Sequence, residues 1–184
     1  MTISETLVTI FIFCLIGVMV VGIYLAYDNV YKVQIGYNEL STNNSMAIDK
    51  ILDNIKSATR VVNGETTIDG NPYTTDNDTL VLELPSVDSV EPGQPQNIIS
   101  GKFDYLVYFL DGNKLKSDLK KATGSARKEG QQSVGDFVDT LVFNFNNIDY
   151  SSVNKVEIIL SASKTIKNQT LEVVSQTTAE LRNK

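Results

Sequence analysis

The chain has no histidine, no tryptophan and one cysteine among its 184 residues. Histidine is the commonest general base and metal ligand in proteins, so its absence removes most hydrolase and zinc-site designs. The single cysteine, Cys14, has no partner for an internal disulfide and sits within an apolar run. The fold must therefore be held together by packing, and we expect no enzyme activity, no metal and no cofactor.

Other motifs that could support catalysis or metal binding are weak. Ser-x-x-Lys spacings occur at 117–120 and 161–164, as in serine acylases, but without the companion motifs of those enzymes. Side-chain oxygens that could form a loop calcium site occur at Asp69, Asn71, Asp76 and Asp78. Turn-forming side chains of this type explain the same pattern at least as well. We therefore expect no catalytic residues and no metal site.

The charge balance is acidic, with a net charge of −6 and a pI near 4.7. Nucleic-acid binding needs concentrated Lys and Arg to neutralise phosphates, so it is an unlikely function for this chain. A local basic stretch runs from Lys114 to Lys128. It could contact DNA or an acidic neighbour, but a solvated loop is the simpler interpretation.

The first half of the N-terminal region is strongly apolar. After Glu5 there is no charged residue until Asp28, and the first basic residue is Lys32. The 22 residues between these charges would form a helix about 33 Å long, enough for a hydrocarbon core of about 30 Å. A cleaved signal peptide has a basic start and a small-residue cleavage site, neither of which is found here, so we expect the segment to be retained.

The orientation of this segment poses a problem, because the usual excess of cytoplasmic Lys and Arg is missing from residues 1–5. In one interpretation, a basic leader preceded Met1 and was removed, leaving a free α-amino group near Glu5. In the other, Met1 is the initiator of a plain signal anchor and Glu5 is an incidental flanking charge.

The start MTISETLVTIFIFCLIG resembles the processed N terminus of type IV pilins and pseudopilins. Glu5 lies at the position of the family's glutamate, and Thr2 and Leu7 also fit the pattern. The resemblance is close over about the first 30 residues and architectural beyond them. It implies an N-methylated Met1 and an α+β, pilin-like fold, in which a long N-terminal helix carries an antiparallel β-sheet on its C-terminal half.

The physics of the apolar segment suggests how such subunits assemble. A Glu5 carboxylate within a bundle of apolar helices is costly unless it meets a cation, and the nearest is the Met1 amine of its own or an adjacent chain. Repeating a head-to-tail contact generates a filament. The residues that we expect at the assembly contact are Met1, Thr2 and Glu5, and those expected to pack in the helix core are Leu7, Phe11, Phe13, Gly17 and Gly22.

The resemblance also implies partners and a location. The partners are further copies of the chain, a prepilin peptidase that removes the leader and methylates Met1, an assembly ATPase and an inner-membrane platform. Before assembly the subunit would lie in the cytoplasmic membrane, and afterwards in an extracellular filament. Such filaments serve adhesion, motility, secretion or DNA uptake, and the sequence does not distinguish these roles.

Apolar residues continue at three- and four-residue steps beyond the membrane segment, which predicts a helix from about Thr6 to Ala58. It would be about 80 Å long. An alternative ends this helix near Leu40 and begins a second one at Ser41 or Asn44, because the stretch STNNS is polar. We divide the chain into a membrane or filament-core half, residues 1–29, and an extracytoplasmic domain, residues 30–184, made of an amphipathic helix (30–60) and a sheet (61–184).

The remainder of the chain has a composition typical of strands and turns. Segments rich in β-branched and aromatic residues occur at 79–85, 103–110, 139–147, 155–163 and 170–181. Asp111-Gly112-Asn113 predicts a tight hairpin turn. Pro85–Gly101 and the polar residues 120–136 are predicted to be surface loops.

Two alternatives remain beside a major filament subunit. The ending Leu181-Arg182-Asn183 resembles that of minor pilins and secretion pseudopilins, which share the same architecture. A rival from another class is a signal-anchored binding domain that never polymerises. Replacing Glu5 separates the filament class from that rival, because only polymerisation needs the carboxylate.

Overall fold

A computed structural model describes residues 2–89 and 97–181 of the chain. It contains one long helix, α1 (Ile3–Ser57), followed by strands and a single turn of 3-10 helix, Tyr150–Ser152. The strands are β1 (Arg60–Val61), β2 (Glu65–Ile68), β3 (Asn71–Thr74), β4 (Leu80–Val87), β5 (Ile98–Asp111), β6 (Lys114–Lys120), β7 (Gly130–Asp136), β8 (Val138–Phe145), β9 (Lys155–Ile166) and β10 (Gln169–Glu180).

The helix α1 is continuous over its 55 residues, which corresponds to about 80 Å. The alternative with a break between Leu40 and Asn44 is therefore wrong. Polar residues do not interrupt the helix there because Asn44 is buried against the sheet, where its amide donates hydrogen bonds to the Ser175 hydroxyl (2.8 Å) and the Leu160 carbonyl (3.5 Å). Tertiary contacts outweigh the weak helix propensity of this stretch.

The strands form three antiparallel sheets rather than one. The largest has the order β1-β4-β5-β6-β7, the second has the order β10-β9-β8, and β2 and β3 form a separate hairpin. The C-terminal part of α1 packs on strands of both larger sheets. The expected fold class is thus confirmed: an α+β, pilin-like layout with a long N-terminal helix and antiparallel sheets packed against it.

The main core lies between α1 and the two larger sheets. Ile48, Ile51 and Ile55 occupy one face of the helix at three- and four-residue steps, as an amphipathic helix requires. They pack against alternate residues of the strands, including Leu82 of β4 and Tyr108 of β5. The first residue of the helix to be buried is Gly36, so the domain covers only the second half of α1.

A smaller core lies on the opposite face of the five-stranded sheet. Val81 of β4 and Val107 of β5 point away from the helix and pack against Ile68 of the β2–β3 hairpin. The sequence analysis did not predict this hairpin. Its strands are only four residues long and include Pro72, so their strand signal is weak.

The two predicted loops are shorter than expected. Strand β4 runs to Val87 and β5 begins at Ile98, so the ends of the predicted loop Pro85–Gly101 are strand; residues 90–96 lie outside the described part. The prediction of a loop over residues 120–136 is wrong for its second half, because β7 (Gly130–Asp136) pairs with β6. Edge strand β7 is polar and Gly-containing, and the backbone ladder with β6 holds it in place.

Two tight turns set the register of the long hairpins. Gly112 has a φ of 61° in the two-residue loop between β5 and β6, which is typical of a type II′ turn and confirms the predicted hairpin. Between β9 and β10, Lys167 and Asn168 have φ values of 46° and 66°, as in a type I′ turn. This second turn brings the hairpin tip to the side of α1.

Candidate functional site: the apolar half of the helix

The helix α1 begins with a capping box. The Thr2 hydroxyl accepts a hydrogen bond from the Glu5 backbone N–H (3.4 Å), and the Glu5 carboxylate accepts one from the Thr2 backbone N–H (2.8 Å). These two bonds satisfy backbone donors that every helix leaves free at its first turn. Thr2 and Glu5 therefore have a local role that the sequence analysis did not assign.

The predicted pairing of Glu5 with the Met1 amine lies outside the described residues, because Met1 is not among them. Among the described residues, only Oε2 of the Glu5 carboxylate is engaged, by the Thr2 N–H. The other oxygen, Oε1, accepts no hydrogen bond from any of them. A carboxylate with one oxygen that the described residues leave unpaired thus lies at the tip of the apolar segment.

The apolar side chains of the first half of α1 are exposed. Leu7, Phe11 and Phe13, which we expected in a helix core, are 64%, 66% and 72% exposed. No residue of α1 before Gly36 is buried against the domain. An apolar surface of this size on a soluble protein normally has a partner.

The glycines of this segment leave its surface open. A Cβ atom added at Gly17 or Gly22 would meet nothing within 4 Å. Neither glycine is thus required for packing within the chain, although each costs about 1 kcal/mol of helix stability relative to alanine. Glycine on an exposed helix face permits another helix to approach closely.

The helix α1 is long and apolar enough to cross a membrane. It lies near the N terminus, and its most apolar window is not buried by the rest of the chain. Cys14, the only cysteine, is exposed in the same region. This half of α1 could therefore anchor the protein in a bilayer.

Tyrosines mark the end of the apolar segment, a feature that the sequence analysis missed. Tyr24, Tyr27, Tyr31 and Tyr37 are all about half exposed or more, and the rings of Tyr27 and Tyr31 stack with centroids 6.4 Å apart. Tyrosine is enriched where a membrane-spanning helix meets water. The repeated Tyr spacing just after the apolar run was the signal in the sequence.

The tip of the β9–β10 hairpin contacts α1 at the boundary between its two halves. A Cβ atom added at Gly36 would lie 2.0 Å from Cδ1 of Ile166, so the glycine permits this close approach. Nearby, the Lys167 ammonium lies 3.3 Å from the Asp28 carboxylate and also donates to the Asn29 side chain. The Lys164 ammonium forms an ion pair with Glu39 at 2.8 Å.

An apolar groove opens between α1 and β10 just outside this contact. It has a volume of about 430 Å³ and is lined mainly by Val30, Val33, Tyr37 and Leu171. The groove is continuous with the exposed apolar face of α1. Together they form one surface, which we call the apolar stalk and define as Ile3–Ile35 with this groove.

The structure does not bring the weaker chemical candidates together into a site. Ser117 is buried, and Lys120 donates to the Thr67 carbonyl at 2.9 Å. The Asp76 carboxylate accepts hydrogen bonds from the backbone N–H groups of Asp78 and Thr79, as in an Asx turn. In residues 2–89 and 97–181, no three Cys, Asp or Glu side chains are grouped to hold a metal ion.

Comparisons with known proteins add no family assignment. No protein-family model matches the chain, and no curated protein is significantly similar to it. The arguments for function therefore rest on the sequence and on the geometry of the apolar stalk.

Proposed function

We propose that this chain is a structural subunit that polymerises through its apolar N-terminal helix into a filament of the type IV pilus kind. The observation that carries the proposal is the apolar stalk, a helical segment about 50 Å long in which the domain buries no side chain and contacts only the C-terminal end. Its first turn carries a single carboxylate, and no other charged side chain follows until Asp28.

In water the apolar surface of the stalk must be buried against a partner, and other copies of the same helix are suited to bury it. Backbone hydrogen bonds are satisfied within each helix, so moving from lipid into a helix bundle costs little. The small residues Gly17 and Gly22 lie open on the stalk, where a neighbouring helix could approach them. The domain would then lie outside the bundle.

The charge of Glu5 would set the register of the bundle. Its Oε1 accepts no hydrogen bond from the described residues and would bind a cation from an adjacent chain, for which the terminal amine of that chain is the nearest candidate. A subunit added out of step would leave two unpaired charges in an apolar environment, which is strongly unfavourable. The contact is head-to-tail, so its repetition gives an open filament rather than a closed ring.

The proposal includes the partners and locations implied by the resemblance. A prepilin peptidase would process and methylate the N terminus, and an assembly ATPase with an inner-membrane platform would extract subunits from the membrane. The stalk would lie in the cytoplasmic membrane before assembly and in the filament core afterwards. A minor pilin or secretion pseudopilin would use the same surface with fewer copies.

Two substitutions of Glu5 separate its charge from its capping role. Glutamine at this position can keep the capping-box hydrogen bond but is neutral, whereas alanine loses both. We expect Glu5→Gln to reduce the filament recovered by shearing cells at least tenfold, nearly as severely as Glu5→Ala. Membrane-fraction levels should stay similar to wild type, because a single neutral substitution does not impair insertion.

A matched control is Asp53→Asn, which removes a carboxylate from an exposed position of the same helix. It should leave filament yield unchanged. If Glu5→Gln assembles normally while Glu5→Ala does not, the carboxylate acts only as a helix cap and the proposed register contact is wrong.

The second candidate is a membrane-anchored domain that does not polymerise, and the tyrosines that follow the apolar run favour it. A belt at Tyr24 and Tyr27 is typical of a helix that stays in a bilayer. In that case no filament would be sheared from cells that express the wild-type chain, and both Glu5 variants would behave like it.

A further inference from the structure

A second cavity, distant from the apolar stalk, lies between α1 and the helix-facing side of the five-stranded sheet. It has a volume of about 250 Å³. Its wall on the helix side is formed by Lys50 and Asn54, one turn apart. Its other lining residues are Leu106, Tyr108, Ser117, Leu119, Arg127, Lys128, Gly130 and Gln132. We call this cavity the basic cleft.

The basic cleft exists because two small residues, Ser117 and Gly130, lie diagonally to each other on the adjacent strands β6 and β7. Tyr108 of β5 pairs with Ser117 of β6, which pairs in turn with Gln132 of β7. In the neighbouring row, Leu106 pairs with Leu119, and Leu119 pairs with Gly130. Ser117 and Gly130 have smaller side chains than the other strand residues that line the cleft. A space therefore remains between this part of the sheet and the helix.

The charge of the basic cleft is positive in an otherwise acidic chain. Lys50 and Lys128 form no ion pair with any described residue, and both are exposed at its rim. The Arg127 guanidinium is already engaged, by the Asp104 carboxylate at 2.7 Å and the Pro85 carbonyl at 2.6 Å. No described Asp or Glu lines the cleft. The acidic residues beside its lysines in the chain are Asp49 and Asp53 on the helix and Glu129 next to Lys128.

The Ser117 hydroxyl in the basic cleft makes no hydrogen bond with any residue in the described ranges. Ser117 is 5% exposed. Its hydroxyl is not one of the fully buried unpaired side-chain atoms of the described residues, so it opens onto the cleft. Tyr108 beside it is satisfied, because its hydroxyl accepts from the Asn54 amide at 2.6 Å. The Ser117 hydroxyl is therefore available to a ligand.

The geometry points to a binding site for a single acidic sugar unit, such as a uronic acid, in the basic cleft. The two lysines would receive the carboxylate, and the Ser117 hydroxyl and Gln132 amide would bond the sugar hydroxyls. Leu119, which is partly exposed, offers an apolar surface to the C–H face of a sugar ring, which inorganic phosphate would not use. The volume is just below the usual range for drug-sized ligands of about 300–1,000 Å³, and so suits one monosaccharide.

This inference is independent of filament assembly and is tested on the full chain in detergent micelles. Calorimetric titration with galacturonate and glucuronate is compared with galactose and glucose, which have the same ring but no charge. We expect a uronate to bind with a Kd of about 1 mM, with the neutral sugars at least tenfold weaker. If the trimer of the uronate binds more tightly than the monomer, the natural ligand is a chain end; if not, it is a free sugar acid.

Variants assign the binding to the cleft. Lys50→Gln and Lys128→Gln should each weaken uronate binding about fivefold, and Ser117→Ala should weaken it about threefold. Lys56→Gln is the matched control, because Lys56 is exposed on the same helix but does not line the cleft. All three lysines are exposed, so Lys50→Gln, Lys128→Gln and Lys56→Gln should not alter the thermal midpoint of unfolding.

The proposal is overturned by any of three results: no saturable uronate binding up to 20-fold above the expected Kd, equal binding of uronate and neutral sugar, or uronate binding that Lys50→Gln and Lys128→Gln leave unchanged. Filament yield of the two lysine variants is measured in parallel. It should equal wild type, so failure of the sugar site does not bear on the proposed assembly, and failure of assembly does not bear on the site.

Discussion

At the residue scale, the buried carboxylate of Asp104 accepts four hydrogen bonds. It accepts hydrogen bonds from the Ser86 hydroxyl (2.8 Å), the Ala122 backbone N–H (2.8 Å) and the Ser125 hydroxyl (2.7 Å). The Arg127 guanidinium completes the set at 2.7 Å. Through these bonds Asp104 on β5 fixes the segment between β6 and β7, which also forms one side of the basic cleft.

The environment of Asp104 makes stability depend on pH in a defined direction. Burial by itself would raise its pKa, but the hydrogen bonds from Ala122, Ser125 and Ser86 and the Arg127 charge outweigh burial, so the folded-state pKa lies below the ordinary value of 3.8. As pH falls, the unfolded chain therefore takes up this proton first. The contribution of Asp104 is present above pH 3.8 and is lost as pH falls through the lower folded-state pKa.

We expect Asp104→Asn to lower the free energy of unfolding by about 3 kcal/mol at neutral pH, because it leaves the Arg127 guanidinium without its anion. Below pH 4, the stability of the variant should also decline less steeply than that of the wild-type chain. Urea unfolding of the full chain in micelles at pH 7, 5, 4 and 3 measures both effects. Asp111→Asn is the control: its carboxylate is 59% exposed and pairs only with Lys116, so it should cost less than about 1 kcal/mol. Equal effects of the two substitutions would contradict the assigned role of Asp104.

At the scale of elements, the contact between α1 and the β9–β10 hairpin decides where the domain ends and the stalk begins. In the sequence, Gly36 is one more glycine within the long predicted helix, where glycine lowers helix stability. The structure shows a different role, since Ile166 reaches over Gly36 and the hairpin tip is held by the ion pair of Lys167 with Asp28. A pattern within one element cannot predict which residue of a distant hairpin will fill the space above a glycine.

Substitutions at this contact should be coupled. In an open helix, Gly→Ala gains about 1 kcal/mol. At Gly36 the new methyl would overlap Cδ1 of Ile166, so we expect Gly36→Ala to give no gain and a loss of up to about 1 kcal/mol. Ile166→Val removes Cδ1, and in that background Gly36→Ala should stabilise by about 1 kcal/mol. Thermal unfolding of the four combinations gives the coupling energy. Additive effects would mean that the two side chains do not compete for this space.

The same comparison shows which elements a sequence can reveal. The helix was predicted because burial of one face imposes a period of 3.6 on its apolar side chains. The strands at 79–85 and 103–110 were predicted because they are rich in β-branched and aromatic residues. Strand β7 and the β2–β3 hairpin were missed because they are short and mostly polar. Each contributes few apolar side chains to a core, chiefly Val134 and Ile68, which is too weak a signal in the sequence. The type I′ turn at Lys167 and Asn168 was missed because it lacks the Asn-Gly or Asp-Gly signal.

At the scale of the whole molecule, the residues that stabilise the domain differ from those that we propose for assembly. The core that holds the domain together begins at Gly36 and uses none of the apolar side chains of Leu7, Phe11 or Phe13. The apolar run and its glutamate were evident in the sequence, because charge and hydropathy are local properties. The basic cleft was not, because its lining comes from one helix and three strands that meet only in the fold.

This separation predicts that the domain folds without the stalk. A chain of residues 30–184 keeps every buried residue of α1. It loses the ion pairs of Asp28 with Lys32 and Lys167, the contact of Lys167 with Asn29 and the stacking of Tyr27 on Tyr31. Exposed ion pairs contribute about 0–1 kcal/mol, so its thermal midpoint should lie within about 3 °C of that of the full chain in micelles. It should be monomeric in water by light scattering, whereas the full chain should need detergent or assembly. A truncated chain that aggregates or unfolds without cooperativity would show that the stalk contributes to the stability of the domain, and the division at residue 30 would then be wrong.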